Sequence, residues 1–235
     1  MNTKGIIFDV EDVFFDGTFF HRSLHQMIRR CGCKGEFREI QSCWQNKYLP
    51  QVYEGKLQYW DALASFFSSM GLARPQVTEL IVSAQSRLKS AQDNLRLYPD
   101  VSEVISRIKK SGVALAIICN SIHAPETMCE MLQRINLRTN FDFVLTSYAA
   151  KRVMPDRNSF TAVCQAMGQE PSSVLYISTR SERLQMAREC GLIPVQLNRH
   201  GSTSPTRSLA SNQMIRTLND LPHTINQLVN ARLAV

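Results

Sequence analysis

Asp9, Glu11 and Asp12 crowd together in the stretch GIIFDVEDVFFDGT, Gly5 to Thr18. An apolar run ends at Asp9, and the other two carboxylates follow at once. A carboxylate at the end of a buried strand is suited to nucleophilic attack, to proton transfer or to metal coordination. Three of them repel one another, so a cation, a proton or solvent must offset the charge. Which of these does so decides what chemistry remains open.

Other polar residues also end apolar runs. VALAIICN ends at Cys119-Asn120, FDFVLTS at Ser147, and SSVLYIS at Ser178-Thr179. These runs, with Lys4 to Val10 at the start and IPVQLN near the end, read as strands. Helical patterns lie between them: YPDVSEVISRIKKSG, APETMCEMLQRINL, RNSFTAVCQAMG and ERLQMARECG. Strands apolar on both faces that alternate with helices indicate a parallel sheet covered on both sides. Ligands of such sheets bind at the carboxyl ends of the strands. Asp9, Cys119-Asn120, Ser147 and Ser178-Thr179 would converge there.

Between the first strand and the rest, helical patterns fill most of Phe20 to Asn94. In LQYWDALASFFSSMG the apolar residues Leu57, Trp60, Leu63, Ala64 and Phe67 recur at helical steps, and Gly71 closes the run. Pro75 suits the first turn of the next helix. The reading is a core of residues 1–16 and 95–235, split by a helical insertion over 17–94. A Ser/Thr-rich loop covers Gly201 to Gln213, and a last helix begins near Asn219-Asp220.

The composition sets further bounds. The chain has 235 residues, 44% hydrophobic and 20% charged, enough for one sizeable packed core with a smaller unit. No run is long and apolar enough to span a membrane. The chain enters a strand-like segment within five residues, without a signal-peptide layout, so a cytoplasmic location is expected. The seven cysteines are odd in number and scattered, as reduced thiols would be. Cys31-Gly32-Cys33 near Cys43 lacks zinc-site spacing and a second ligand pair. The net charge of +7 is spread thinly, which argues against nucleic acid as a partner. A small anionic metabolite or a protein partner is expected instead.

The order of motifs resembles the haloacid dehalogenase (HAD) superfamily, in its branch with a helical cap after the first strand. FDVEDVFFDGTFFH resembles the first motif, Asp-x-Asp-Gly-[Thr/Val]. LYPDVSEVISRIKKSGVALAIICNS resembles the approach to the second. SYAAKRVMPDRNSFTAVCQAMG resembles the third, usually Gly-x-x-Lys-Pro-Asp. VLYISTRSERLQMARECGLIPV resembles the fourth, Gly-Asp-x-x-x-Asp. The FDGT at Phe15 to Thr18 is out of register, because it would make Phe14 the nucleophile. The resemblance implies a HAD-like α/β fold, a Rossmann-like parallel sheet covered by helices.

It also implies roles, residue by residue. Asp9 matches the nucleophile. Glu11 stands at the acid/base Asp, and Asp12 replaces a Gly. Cys119 stands where a phosphate-holding Thr or Ser is expected, followed by Asn120. Met154 stands at the phosphate-neutralising Lys, with Lys151 three positions earlier. Ser178 and Thr179 replace Gly-Asp, and Arg183 falls at a second metal-binding Asp. In the family the Asp attacks phosphorus, and Mg²⁺ and Lys neutralise the repulsion between two anions. Here only Asp9 and Glu11 remain to hold Mg²⁺ if it binds, and no cofactor is expected otherwise. The expectation is that Arg183 or Arg180 faces Asp9 and Glu11 in place of a metal.

Plainer readings stand beside these. Asp9 suits a strand-end carboxylate bonded by backbone N–H groups, Cys119 a small buried hydrophobe, and Lys151 a solvated side chain. Trp44, Tyr48, Tyr53 and Trp60 read as core of the insertion. His21 and His25 lack a third ligand. Three functions remain open. The residues favour a catalytically impaired pseudoenzyme that keeps an anion- or partner-binding cleft. A phosphatase-type hydrolase of a small phosphorylated metabolite, acting through Asp9, is the alternative. A metal-free, dehalogenase-like hydrolase is the third.

Overall fold

A computed structural model describes residues 4–32, 36–199, 201 and 213–233. The His21 side chain, Cys33 and most of the Ser/Thr-rich loop (202–212) lie outside the described residues. Six strands form one sheet: β1 Gly5–Phe8, β2 Ala114–Cys119, β3 Phe143–Thr146, β4 Val174–Ser178, β5 Ile193–Leu197 and β6 Met214–Ile215. Their order is β3-β2-β1-β4-β5-β6, and every pairing is parallel. The chain reverses direction across the sheet at β1, with β2 on one side and β4 on the other. That switch point opens a crevice at the carboxyl end of the central strand, where Asp9 follows Phe8.

Alternation along each strand sorts side chains to two faces. Ile6, Phe8, Leu115, Ile117, Leu175 and Ile177 share one buried cluster. Helices α6 (Val101–Lys110), α7 (Pro125–Arg134) and α11 (Leu221–Leu233) cover it, through Val104, Ile105, Leu132 and Leu221. Ile7, Ala116, Ile118, Val174 and Tyr176 face the other way. They meet α9 (Arg157–Ala166) and α10 (Ser181–Glu189) through Phe160, Val163, Leu184 and Ala187. Burial on both faces explains why the strands read as unbroken apolar runs.

Between β1 and α6 the chain is helical: α1 Thr18–Arg30, α2 Phe37–Cys43, a π-helical turn Trp44–Tyr48, α3 Leu49–Tyr53, α4 Tyr59–Ser69 and α5 Arg74–Asp93. Pro75 sits in the first turn of α5, where a missing N–H costs nothing. Gly71 follows α4 at φ +83°, a left-handed helix end that glycine adopts freely. These helices bury Leu24, Ile28, Trp44, Leu63, Phe66, Phe67 and Leu80 in a cluster of their own, separate from both sheet clusters. No helix among the described residues is long and apolar enough to cross a membrane.

Candidate functional site

The sheet aims its polar strand ends into one place. Asp9 is 2% exposed, and its backbone N–H donates to the Ile177 carbonyl at 3.0 Å, as a continuation of the β1–β4 ladder. Both of its carboxylate oxygens accept hydrogen bonds. Oδ1 accepts the Val10 N–H at 3.0 Å. Oδ2 accepts the Ser178 hydroxyl at 2.9 Å and the Arg183 guanidinium at 2.5 Å. Arg183 projects from the first turn of α10, and only 15% of its side chain is exposed. Burial works against its charge, but the Asp9 carboxylate outweighs that and holds the guanidinium firmly protonated. The expected arginine–carboxylate contact is therefore present at Asp9.

Glu11 lies beside this pair. Arg180 Nη2 is 3.8 Å from its carboxylate, a loose, partly solvated contact. Burial raises the Glu11 pKa, and Arg180 and Arg183 pull the other way. Asp12 holds φ +60°, a conformation that favours glycine and that Asp tolerates better than most residues. Its Oδ1 accepts the Gly17 N–H at 3.1 Å, closing the turn that carries the chain into the helical insertion.

The remaining candidates take structural partners. Asn120 clamps a backbone: its Nδ2 donates to the Met154 carbonyl at 2.7 Å, and its Oδ1 accepts the Met154 N–H at 2.8 Å. Cys119 is 3% exposed, and burial pushes its thiol well above the usual range, so it stays protonated. Thr179 occupies the bend between β4 and α10, half-buried. Lys151 does not join Asp9. Its ammonium lies 4.0 Å over the Tyr148 ring, and its stem packs against Gly55 of the helical insertion. Met154 is buried in the sheet cluster below α9. Ser147 links two strand ends by bonding the Ser121 N–H and carbonyl.

A cavity of about 460 Å³ opens between the helical insertion and the strand ends. Glu11, Cys119 and Asn120 touch it from the sheet side. Trp44, Leu49 and Tyr53 close it from the insertion, Leu88 and Ala91 from α5, and Met128 and Met131 from α7. Trp44 and Tyr53 thus line the cleft, although their pattern in the sequence marks them only as core. Helical periodicity reports which face is buried and cannot tell an interior from a cavity wall. Tyr53 also senses the site: burial first, then the Glu11 carboxylate, push its phenol above the ordinary value.

A magnesium ion does not fit these residues. The Asp9 oxygen it would need carries a guanidinium, and Mg²⁺ demands several oxygen ligands in near-octahedral order. Among the described residues no group of three or more His, Cys, Asp or Glu side chains is placed to hold a metal.

Residues 3–191 match the family model of the haloacid dehalogenase-like hydrolases, and the chain belongs to that family. Its relatives include an (S)-2-haloacid dehalogenase of Pseudomonas sp. strain YL, 26% identical over 85% of this chain and 84% of the relative. A phosphoglycolate phosphatase of Synechococcus elongatus is 23% identical over 74% of this chain and 80% of its own length. Among solved structures, a 2-haloacid dehalogenase from Pseudomonas syringae superposes with a TM-score of 0.68 at 16% identity, covering 97% of this chain and 99% of that one.

Proposed function

We propose that this chain is a catalytically impaired member of the HAD-like hydrolases that keeps its cleft as a binding site. One observation carries the reading: the Arg183 guanidinium sits on Asp9 Oδ2. A nucleophile must present a lone pair to the reacting atom. Here Oδ1 faces a backbone N–H, and Oδ2 faces a hydroxyl and a cation. Attack on phosphorus would also bring a second anion toward a carboxylate pair, with Arg183 held on Asp9 and Arg180 only loosely beside Glu11. The partner is then a small molecule or a protein bound at the cleft, in whatever compartment the chain occupies.

A second reading is favoured by the dehalogenases among the relatives and by the apolar cavity beside Glu11. It is a metal-free displacement at carbon. An Asp9 oxygen would form an ester to the substrate carbon as halide leaves, and water would then cleave the ester. Attack through Oδ2 requires Arg183 to release that oxygen.

The test is turnover by the purified protein, wild type beside Asp9→Asn. The substrates are an aryl phosphate with and without Mg²⁺, and an (S)-2-haloacid with halide release as the readout. The proposal expects no Asp9-dependent turnover of any of them. Halide release that disappears in Asp9→Asn would establish the second reading. Mg²⁺-dependent phosphate release that disappears in Asp9→Asn would overturn both.

A further inference from the structure

We infer that the cavity takes an uncharged molecule with an aromatic or branched aliphatic body, hydrogen-bonded to Glu11. This rests on the reading of the cleft as a binding site. The volume, about 460 Å³, lies within the range of sites that enclose a small organic ligand. Trp44, Leu49, Leu88, Met128 and Met131 supply its walls, so most of a ligand's contact is apolar. Methionines add a surface that adapts to irregular shapes.

The polar groups at the floor are largely satisfied by the protein. Asn120 is bonded at both ends to the Met154 backbone. Ser121 Oγ pairs with the N–H and carbonyl of His123. The His123 ring meets the Gln92 amide at 2.7 Å, and burial lowers its pKa, which keeps it neutral near pH 7. Glu11 is the exception: its contact with Arg180 is long, at 3.8 Å, and its carboxyl opens onto the cavity.

Charge sets the ligand class. Asp9, Glu11, Arg180 and Arg183 sum to zero, and Arg183 is committed to Asp9. The residues that line the cavity themselves bring one cation, Arg96, exposed at the rim, beside two carboxyls, Glu11 and Asp16. A phosphate dianion would leave water for an apolar wall that carries more carboxyls than cations, which is costly. An uncharged apolar body gains from the same wall by burial.

The experiment uses the full chain and the uncharged fluorophore N-phenylnaphthylamine. The chain has two tryptophans, and Trp44 forms part of the cavity wall. Binding is read as energy transfer from tryptophan to the probe, and as a rise in the melting temperature. Transfer should fall sharply in Trp44→Phe while the melting shift persists. Ala91→Phe fills the cavity from α5 and should weaken binding about tenfold or more by occupying the ligand's volume. Val82→Phe, on an exposed position of the same helix, should leave it unchanged. Phenyl phosphate should neither displace the probe nor raise the melting temperature. Absence of probe binding by wild type, or binding indifferent to Ala91→Phe in a variant that melts cooperatively, would overturn the inference. So would displacement by phenyl phosphate. None of these outcomes is turnover, so failure here and failure of the impaired-enzyme reading are read separately.

Discussion

Arg183 and Asp9 stand 174 positions apart in the chain and meet at 2.5 Å at the carboxyl edge of the sheet. The contact joins the start of α10 to the end of β1, two elements that the topology makes neighbours through β4. It satisfies a charge that neither element could bury alone.

Removing one partner leaves the other buried and unpaired. Arg183→Ala should therefore destabilise the fold by about 3–5 kcal/mol at neutral pH. Asp9→Asn with Arg183→Met, which removes both charges, should recover much of that loss. Urea denaturation of the three proteins checks this; a single variant as stable as wild type would show the pair to be solvent-screened.

Arg183→Asp tests what the guanidinium replaces. It would gather Asp9, Glu11 and a new carboxylate at one strand end. Without a cation they repel, and the melting temperature should fall below that of Arg183→Ala. Mg²⁺ should raise the variant's melting temperature and leave wild type unmoved, because binding only to the native state stabilises it. Equal response of both proteins to Mg²⁺ would count against this account.

Gly55 is a second sensitive point. It holds φ +72°, and a Cβ there would lie 2.8 Å from Cδ of Lys151. Gly55→Ala combines a left-handed backbone cost of about 1–2 kcal/mol with displacement of the Lys151 stem from its seat over Tyr148. The expected result is a loss of stability of that size by chemical denaturation. Gly55→Ala with Lys151→Ala should recover only the part due to crowding.

His123 gives a pH signature. Burial lowers its pKa from the ordinary 6.5. The unfolded chain therefore takes up the proton at a higher pH than the native chain does. His123 contributes stability that is fully present above pH 6.5 and is lost as pH falls through the lowered native value. Melting temperatures of wild type and His123→Asn, compared from pH 8 down to pH 5, should converge toward the acid end. A constant gap would assign His123 no linkage.

Among the described residues Arg199 and Asp100 form the other buried pair, 2.9 Å apart and both side chains under 10% exposed. Arg199 also donates to the Val13 carbonyl at 2.8 Å and stacks 4.2 Å over Tyr98. Asp100 Oδ2 accepts the Leu218 N–H at 2.6 Å. Arg199→Ala should cost about 3–5 kcal/mol, because Asp100 is left buried without its cation. Arg199→Lys should keep the charge but lose the fork and the stacking, and so fall between the two.

The sheet was legible in the sequence because both faces of its strands are buried, which leaves a continuous apolar signal that ends abruptly at polar residues. Asp9 and Ser178 were found by that ending alone. Arg183 is legible only through the resemblance of VLYISTRSERLQMARECGLIPV to the fourth motif, where it falls at a second metal-binding Asp; its own local pattern is that of any exposed helical arginine. β6 was not legible: Met214 and Ile215 are a strand only because Gln196 and Leu197 pair with them, and two residues carry no period. The direction of Lys151 was hidden as well. Its φ of +53° and its seat over Tyr148 turn it toward the helical insertion, and nothing in the local pattern encodes that. Tyr53 reads as core by every local measure, and only the meeting of two units makes it a cavity wall.

An ion bound from solution comes and goes with its concentration. Arg183 does neither. It is synthesised with the carboxylate it neutralises, one for one, and stays protonated across the physiological range. The charge balance at the end of β1 is thus a heritable property of the polypeptide, indifferent to the ionic medium in which the chain folds. A chelator would take nothing from the Arg183–Asp9 contact itself, which two side chains of one polypeptide make.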